Sequence, residues 1–223
     1  SGVMSSIVID GYIRILKKSD VYFDTVEGFP VIRGKYQNAI MIRALLLNAV
    51  STHYETLWKA VWSADYTNEK WARRDSHLAD DDFLKLSENW TREEGFVSDY
   101  ARRELLMEID VLVAMAIGMS LDDLLNLYSL QFPLTKQYED DTWYDNSGSI
   151  VFTSSRGLSQ IGVDRACWNE NRNKTEITKE ILVNYTKEKN VIEKRYLSPY
   201  VKGNRCDEYK EIWTGFEARF IDK

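Results

Sequence analysis

The chain has 223 residues, of which 44% are hydrophobic and 13% aromatic, so it can bury a sizeable core and does not have a disordered composition. Its net charge of −6 argues weakly against a general nucleic-acid clamp, and no apolar run is long enough to span a membrane. The two cysteines, Cys167 and Cys206, form no disulfide framework. Their small number fits a reducing compartment and predicts a cytoplasmic protein.

The first third of the chain is predicted to start with extended segments and to continue with helices. Residues 8–16 alternate loosely between apolar and polar side chains and predict a short strand, and residues 21–31 are rich in β-formers. From residue 36 to 50 the apolar spacing changes to that of a buried helix. Thr52, with Glu55 three residues later, predicts the start of another helix by a capping box.

The middle of the chain predicts two consecutive helices after a polar region at residues 65–91. The sequence Thr91-Arg92-Glu93-Glu94 is another capping-box pattern, and the helix that follows it is expected to end at Gly118 in a left-handed C-cap. Ser120 is expected to cap the next helix, which should stop near Phe132-Pro133 because the residue before a proline avoids helical geometry.

The last third predicts a hairpin and two further helices. Residues 142–153 form a β-hairpin pattern around the turn Asp145-Asn146-Ser147-Gly148, with aromatic and β-branched residues on both sides. Residues 175–187 predict a helix, and residues 207–220 predict a stronger one with an aromatic stripe. The predicted fold class is therefore mainly α (α+β), a helical domain with a small antiparallel hairpin or sheet. We expect an N-terminal helical subdomain over residues 1–95, with short strands at its start, and a helix-hairpin-helix subdomain over 96–223.

Catalytic and metal-binding motifs are weak in this sequence. Methyl transfer to DNA bases uses a glycine-rich cofactor loop and an Asn/Asp/Ser-Pro-Pro-Tyr/Phe loop; no G-x-G occurs, and Ser198-Pro199-Tyr200 lacks one proline. Glu208-Tyr209-Lys210 matches part of a nuclease motif but lies in a predicted helix, and Asp80-Asp81-Asp82 is expected to be a helix start. His53 and His77 lack the spacing of zinc ligands. We expect no catalysis by this chain alone, and an enzyme without a recognisable motif is the third interpretation.

Positive charge is concentrated near the end of the chain. Residues 156–223 contain 14 basic and 11 acidic residues, whereas residues 1–155 contain 15 and 24. Within residues 165–205, cations alternate with aromatic and asparagine side chains, a mixture that can serve phosphate and base contacts. The alternative is an ordinary amphipathic helix with solvated lysines. The predicted nucleic-acid-binding residues are Arg165, Arg172, Lys174, Lys194, Arg195, Lys202 and Arg205.

Several phrases in residues 100–220 carry a resemblance to a known family. They are ELLMEIDVLVA (104–114), LYSLQFP (127–133), YEDDTWYD (138–145), GSIVFT (148–153), SPY (198–200), RCDEY (205–209) and WTGFE (213–217). In this order they resemble the C-terminal part of Eco57I-type class I SAM-dependent adenine-specific DNA methyltransferases of restriction–modification and phage-defence systems. The hairpin phrase is the most specific of them.

The resemblance implies a parent protein that binds S-adenosylmethionine and methylates adenine N6 in double-stranded DNA. No position here matches the family's functional residues, so no cofactor is expected in this fragment, and its partners would be DNA and the upstream methyltransferase domain. The predicted function is a non-catalytic C-terminal domain of a DNA-modification methylase that assists DNA binding or target recognition. The alternative is a helical protein–protein docking module of a phage-defence complex, with Trp58, Trp62, Trp71 and Trp90 as its contact patch.

Overall fold

The structure, a computed structural model, describes residues 2–17, 20–92, 98–158, 161–183 and 190–221, with only the backbone described at 182, 183 and 190. Across these ranges the chain is mainly α-helical and has two separate two-stranded antiparallel sheets. The predicted fold class is therefore confirmed. Within the same ranges, no helix combines the length and the apolar character that a membrane crossing requires.

The helices and strands follow one another along the chain with short 3-10 turns between some of them. The described α-helices are α1 (Ile7–Ile15), α2 (Phe23–Glu27), α3 (Gln37–Asn48), α4 (Glu55–Val61), α5 (Asp99–Ala116), α6 (Leu121–Gln131), α7 (Pro133–Asp140), α8 (Arg165–Asn171) and α9 (Arg205–Phe220). The described strands are β1 (Trp143–Tyr144), β2 (Ile150–Phe152), β3 (Glu176–Val183) and β4 (Asn190–Leu197). Strand β1 pairs with β2, and β3 pairs with β4.

The chain forms two compact units that alternate along the sequence. Unit 1 comprises residues 1–97, 101–133 and 205–223, and unit 2 comprises residues 98–100 and 134–204. The sequence analysis divided the chain once, after residue 95, and so grouped the last helix with the hairpins. In the structure α9 belongs to unit 1.

The core of unit 1 is built around α5, whose apolar side chains are almost completely buried. The stripe predicted on α9 contributes Tyr209, Ile212, Phe216 and Phe220 to the same core, and Trp213 packs against it half-buried. Burying aromatic and aliphatic side chains of this size stabilises a fold by about 1.5–3 kcal/mol each before conformational entropy is subtracted. The strong helix predicted near the C-terminus is therefore confirmed, with two further residues at its start.

The predicted helix ends at residues 118–133 are also confirmed. Gly118 has φ +78°, and the N–H of Met119 donates to the Ala114 carbonyl, which is the hydrogen bond of a left-handed C-cap. Ser120 and Asp123 form a reciprocal capping box at the start of α6. That helix ends at Gln131, and Pro133 begins the new helix α7, where its missing N–H costs nothing.

The predicted extended segments at the start of the chain are wrong. Residues 8–16 are mostly in α1, which Ser6 caps by accepting a hydrogen bond from Ile9 N (3.4 Å). Gly11 lets this helix approach Leu127 so closely that a Cβ at residue 11 would collide with the leucine side chain. Residues 21–31 contain the short helix α2, which ends at Gly28.

Two other local predictions differ from the structure, and a third falls partly on residues outside it. Thr52 begins a 3-10 turn, and α4 starts at Glu55 after Tyr54, which makes no side-chain cap. Asp80-Asp81-Asp82 lies in a turn, where Asp82 accepts a hydrogen bond from Trp71 Nε1 (2.9 Å). Glu93 and Glu94 of the pattern Thr91-Arg92-Glu93-Glu94 lie outside the described residues.

The predicted helix at residues 175–187 is wrong, because this segment contains strand β3. It pairs with β4 in one continuous register from Glu176 opposite Leu197 to Val183 opposite Asn190. The pairing places Ile177 and Tyr196 on one face, where both are buried. Between residues 177 and 181 the odd-numbered side chains are more buried than the even-numbered ones, as in a strand. A cross-strand partner outweighs the moderate helix propensity of lysine and glutamate.

Candidate nucleic-acid interface

The short hairpin β1–β2 provides one wall of the candidate site in unit 2. Asp145 Oδ1 accepts hydrogen bonds from Ser147 N (3.0 Å) and Ser149 N (2.9 Å), and Gly148 adopts φ +79°. These features are the reason why the Asp-Asn-Ser-Gly sequence turns here, and the predicted hairpin is confirmed. Beyond the turn, Phe152 is buried in the unit 2 core, and Trp143 packs against that core.

Trp168 is the aromatic centre of unit 2. Asp164 caps α8 by accepting a hydrogen bond from Cys167 N (2.8 Å), which fixes the helix that carries Trp168. The indole lies nearly parallel to Phe152, with ring centroids 5.8 Å apart, and 5.3 Å from Trp143. Its ring centroid is 5.5 Å from that of Tyr200, in an edge-to-face contact. These contacts hold several aromatic rings in one rigid wall.

A cavity of about 330 Å³ opens beside this aromatic wall. Two backbone segments complete it: the turn from α8 to β3, and the residues that follow β4. The N–H of Ser198 donates to the Thr175 carbonyl (2.9 Å) and holds the two segments together. The peptide bond between Ser198 and Pro199 is cis. The cavity is lined by Trp143, Trp168, Arg172, Asn173, Lys174, Thr175, Ser198 and Tyr200.

Two cations at the cavity have no carboxylate partner within the described part of the chain. The side chains of Arg172 and Lys174 are exposed, and neither has a hydrogen-bond or ion-pair partner among the described residues. The side-chain oxygens of Thr175 and Ser198 and the amide of Asn173 make no hydrogen bond to another described residue either. The cavity therefore presents positive charge and several polar groups that are available to a ligand.

The indole N–H of Trp168 adds a donor to this wall. Trp168 is only 3% exposed, and its Nε1 makes no hydrogen bond to another described residue. Among the described residues, the fully buried side-chain polar atoms without a partner are limited to Arg219 Nε. Trp168 lines the cavity, and its N–H is a donor without a partner among the described residues.

The tyrosines beside the cavity remain protonated at neutral pH. Burial raises the pKa of Tyr200, with smaller contributions from Asp145 and Glu176. Burial, Asp145 and Asp99 raise the pKa of Tyr196 to about 12. The Tyr200 hydroxyl donates to the Tyr196 carbonyl oxygen (3.1 Å), which fixes the ring at the cavity wall.

Three of the seven residues predicted to bind nucleic acid lie at or next to the cavity. Arg172 and Lys174 line it. Lys202 Nζ is 5.9 Å from the centroid of the Trp143 ring and donates to the Asp140 carbonyl (3.4 Å). Arg165 does not line the cavity; its guanidinium lies 4.9 Å from the centroid of the Phe152 ring and forms a 2.5 Å ion pair with Asp141.

The other three predicted residues are distributed over different surroundings. Lys194, on β4, places Nζ 5.0 Å from the centroid of the Tyr196 ring. Arg195 points to the opposite face of the hairpin and pairs with Glu193 at 2.8 Å. Arg205 is buried in unit 1 and pairs with Asp110 at 3.3 Å. Of the seven predicted residues, the cavity therefore brings together Arg172 and Lys174, and Lys202 lies beside the Trp143 ring.

Three residues of the cavity are not among those predicted from the sequence. Trp143 was predicted only as a hairpin residue, and Thr175 and Ser198 as parts of a helix and a turn. Thr175 precedes β3 and Ser198 follows β4, so these two residues meet only because the two strands pair. A correct prediction of that pairing would have brought them together at one site.

Buried carboxylates on α5 form a second cluster of charged groups, in unit 1. Glu104 accepts three hydrogen bonds from Arg73 (2.9, 3.1 and 2.7 Å), and Glu108 pairs with Arg43 at 2.5 Å. Asp110 accepts from the Tyr209 hydroxyl (2.7 Å). Since buried charges persist only when they are paired, each carboxylate has its cation or donor in place. Among the described residues, no group of His, Cys, Asp and Glu is arranged to hold a metal ion.

Burial and pairing change the proton affinity of these groups. Burial, opposed by Arg73, raises the pKa of Glu104 to about 7. For Arg43, burial acts to lower the pKa, but Glu108 and Glu69 outweigh it and raise the pKa. The cluster connects residues 43, 69–73, 103–110 and 205–219 within unit 1. Because its ion pairs join segments that are distant in sequence, we call this cluster the brace of unit 1.

The prediction that four tryptophans form an exposed contact patch is wrong for Trp58 and Trp71. Trp58 and Trp71 are buried, and Trp58 Nε1 donates to the Ser87 carbonyl (2.9 Å). Trp90 Nε1 donates to the Ala49 carbonyl (2.8 Å), and Trp62 stacks on Trp58. These indole rings, which are separated by polar residues in the sequence, contribute to a small core. The sequence pattern alone does not distinguish that core from a contact surface.

Comparisons with known proteins give no relative for this chain. Protein-family models, curated proteins and solved structures were all searched, and none matches.

Proposed function

We propose that unit 2 binds DNA through the cavity and its cations. The observation that carries this proposal is the pair Arg172 and Lys174, which is exposed at an aromatic cavity and has no partner among the described residues. Cations of this kind contact phosphates, and the aromatic wall offers stacking surface for bases. In the proposed function, Lys202 extends the binding surface next to Trp143.

In this proposal, DNA is attracted to unit 2 by a local arrangement of charge and not by the net charge of the unit. Unit 2 carries 11 basic and 11 acidic residues, so its net charge does not attract DNA. Arg165 and Arg195 are already paired with carboxylates and contribute little field. Arg172 and Lys174, at the cavity, have no such carboxylate partner among the described residues. We expect them to bind a few phosphates at one position, and not a long tract of backbone.

The parent protein that we propose is a DNA-modification methylase of a restriction–modification system. Support comes from the resemblance in residues 100–220, of which the Trp143–Thr153 hairpin phrase is the most specific part. In this account S-adenosylmethionine binding and adenine-N6 methylation belong to an upstream methyltransferase domain in the cytoplasm. The present chain catalyses no step, and it assists DNA binding or target recognition.

Salt-dependent DNA binding tests the proposal. Fluorescence anisotropy with a labelled duplex is measured for the full chain between about 50 and 200 mM salt, the range over which phosphate binding weakens strongly. Arg172→Ala/Lys174→Ala should weaken binding and reduce the slope of log affinity against log salt by about 0.9 for each phosphate that the variant no longer binds. The matched control Arg156→Ala/Lys136→Ala removes two exposed cations of unit 2 that do not line the cavity. Equal effects of both double variants would contradict the proposal.

A second function, docking of a protein partner, is supported by a different observation. Tyr22, Phe23 and Val31 are 66%, 77% and 77% exposed, and Ile15 is 62% exposed, which is unusual for large apolar side chains so close in sequence. In this account the partner is the methyltransferase domain of the parent. Phe23→Glu should reduce co-purification with that domain, whereas Leu84→Glu, at a residue 69% exposed, should not. Unchanged recovery with Phe23→Glu would remove this alternative.

A further inference from the structure

We propose that the cavity of unit 2 receives one unpaired nucleotide of a DNA strand, with the base against the aromatic wall and the phosphate at Arg172 and Lys174. This inference rests on the proposed DNA-binding function and specifies its ligand. A duplex groove would be read by a protruding element, whereas this site is concave and has its aromatic rings in the wall. A base inside a duplex is covered on both faces by its neighbours, so it has to leave the stack before it can enter such a cavity.

The size of the cavity fits a single nucleotide. Its volume of about 330 Å³ lies at the lower end of the range of about 300–1,000 Å³ found for small-molecule sites. A lone phosphate or sulfate would leave the aromatic wall of Trp143 and Tyr200 unused. A base adds the flat π-surface that these rings can contact, which contributes about 1–3 kcal/mol per stacked base in other single-strand-binding proteins.

The polar groups of the wall complement the edge of a base. The Trp168 N–H is a donor only, and every DNA base has ring-nitrogen or carbonyl acceptors on its edges. The hydroxyls of Thr175 and Ser198 can donate or accept, as can the amide of Asn173. Groups that can pair with either kind of atom favour a site that tolerates several bases. The inference is therefore an unpaired nucleotide of any sequence, and not one specific base.

The position of the cations agrees with this orientation. Arg172 and Lys174 lie two residues apart in the turn between α8 and β3, at the exposed side of the cavity, whereas Trp168 is nearly buried at its wall. A nucleotide has its charge at one end and its flat apolar surface at the other. A phosphorylated peptide would satisfy the cations and leave the indoles without a stacking partner.

The experiment compares three labelled DNA probes with the full chain. The first is a fully paired duplex, the second has one extra unpaired thymidine, and the third has an abasic residue at that position. The unpaired base should strengthen binding about five- to 150-fold, the factor that corresponds to about 1–3 kcal/mol of stacking. The abasic probe should bind like the paired duplex. The corresponding RNA with an unpaired uridine distinguishes the two kinds of nucleic acid, since binding of RNA alone would contradict a DNA ligand.

Two variants connect the stronger binding to the cavity. Trp143→Leu should abolish the preference for the unpaired base, because it removes an aromatic ring from the cavity wall. Lys136→Ala, at an exposed lysine of α7 outside the cavity, should keep the preference. A thermal melt of Trp143→Leu shows whether unit 2 is folded. The abasic probe tests the idea without any variant.

The outcomes separate this inference from the proposed function. If all three probes bind equally and with the salt dependence expected for phosphate binding, unit 2 binds DNA and the cavity does not take a base. If no probe binds, the proposed function fails and the inference fails with it. If the unpaired base strengthens binding equally in wild type and in folded Trp143→Leu, the base is held outside the cavity and the inference is overturned.

Discussion

Units 1 and 2 differ in the burial and pairing of their charged residues. In unit 1, Glu104, Glu108 and Asp110 are removed from water, and Arg73, Arg43 and Arg205 are paired with them. In unit 2, the cations at the aromatic cavity face solvent and lack such partners among the described residues. Charges that are paired and buried serve the fold, whereas charges left unpaired at a cavity are available to a ligand.

The comparison also explains why net charge is a poor guide here. The chain is acidic overall, with a charge of −6, and unit 2 is neutral by composition. A count of charges therefore gives no reason to expect DNA binding. Only the pairing pattern separates Arg43, which is completely buried between carboxylates, from Arg172, which is exposed beside an indole.

The largest expected effect is on the brace of unit 1. Arg43→Ala should lower the free energy of unfolding by about 3–5 kcal/mol, because it leaves Glu108 buried without its cation. Urea denaturation followed by circular dichroism measures this loss. The double variant Arg43→Met/Glu108→Leu should recover a large part of it, because both charges are then absent. Arg14→Ala, which breaks the exposed pair with Asp10, should cost about 0.5 kcal/mol or less. Losses of equal size in Arg43→Ala and Arg14→Ala would show that the buried pairs are not a brace.

The substitution Gly215→Ala in α9 tests how closely α9 packs against the segment that carries Ala72 in the brace. Alanine is favoured over glycine in a helix by about 1 kcal/mol, so propensity alone predicts that Gly215→Ala stabilises the protein. A Cβ at residue 215 would, however, collide with the carbonyl oxygen of Ala72, whose N–H donates to Glu108. We expect a loss of about 1–3 kcal/mol in the free energy of unfolding. The control Ala218→Gly, at an exposed position of α9, should cost about 1 kcal/mol. A more stable Gly215→Ala protein would mean that α9 can move away from residue 72.

The pH dependence of stability should show the raised pKa of Glu104. Its pKa is about 7 in the folded protein, above the ordinary 4.5, so the folded state holds a proton that the unfolded chain releases between these values. The stabilisation from this group is complete below about pH 4.5 and is lost as the pH rises through about 7. In Glu104→Gln, the decline in the free energy of unfolding over this range should be shallower than in wild type. Glu170→Gln, at an exposed residue of α8, is the control, and parallel curves for all three proteins would contradict the assignment.

The smallest effect on stability is expected in unit 2. Arg172→Ala/Lys174→Ala removes two exposed cations that have no partner among the described residues, so the free energy of unfolding should change by about 0.5 kcal/mol or less. Urea denaturation again measures it. A loss of several kcal/mol would place these residues with the brace of unit 1 and would weaken the contrast between the units.

Much of the fold was predictable where a local signal acts alone. Gly118 and Ser120 define helix ends by their own side chains and backbone, and the turn at Asp145–Gly148 needs only its four residues. Residues 8–16 and 175–183 were mispredicted because their structure depends on distant partners. Leu127 packs against α1 at Gly11, and β4 pairs with β3.

The candidate site was predictable in part for the same reason. The mixture of cations and aromatic residues pointed to Arg172 and Lys174, and both line the cavity. Arg205 has the same residue type in the same basic stretch, but it is buried with Asp110, which lies 95 residues earlier in the sequence. The pattern of a sequence does not show which cations are already paired, and that pairing decides which of them can bind a ligand.

Photo-cross-linking measures most directly whether the cavity of unit 2 binds DNA. The full chain is irradiated with DNA that carries one unpaired 5-iodouracil, which reacts with aromatic side chains, and the linked peptides are identified by mass spectrometry. With seven tryptophans and thirteen tyrosines in the sequence, aromatic residues outside the cavity compete for the cross-link. Cross-links at Trp143 or Tyr200 that disappear in Arg172→Ala/Lys174→Ala are the predicted result. Cross-links confined to unit 1, or unchanged in that variant, would contradict the account.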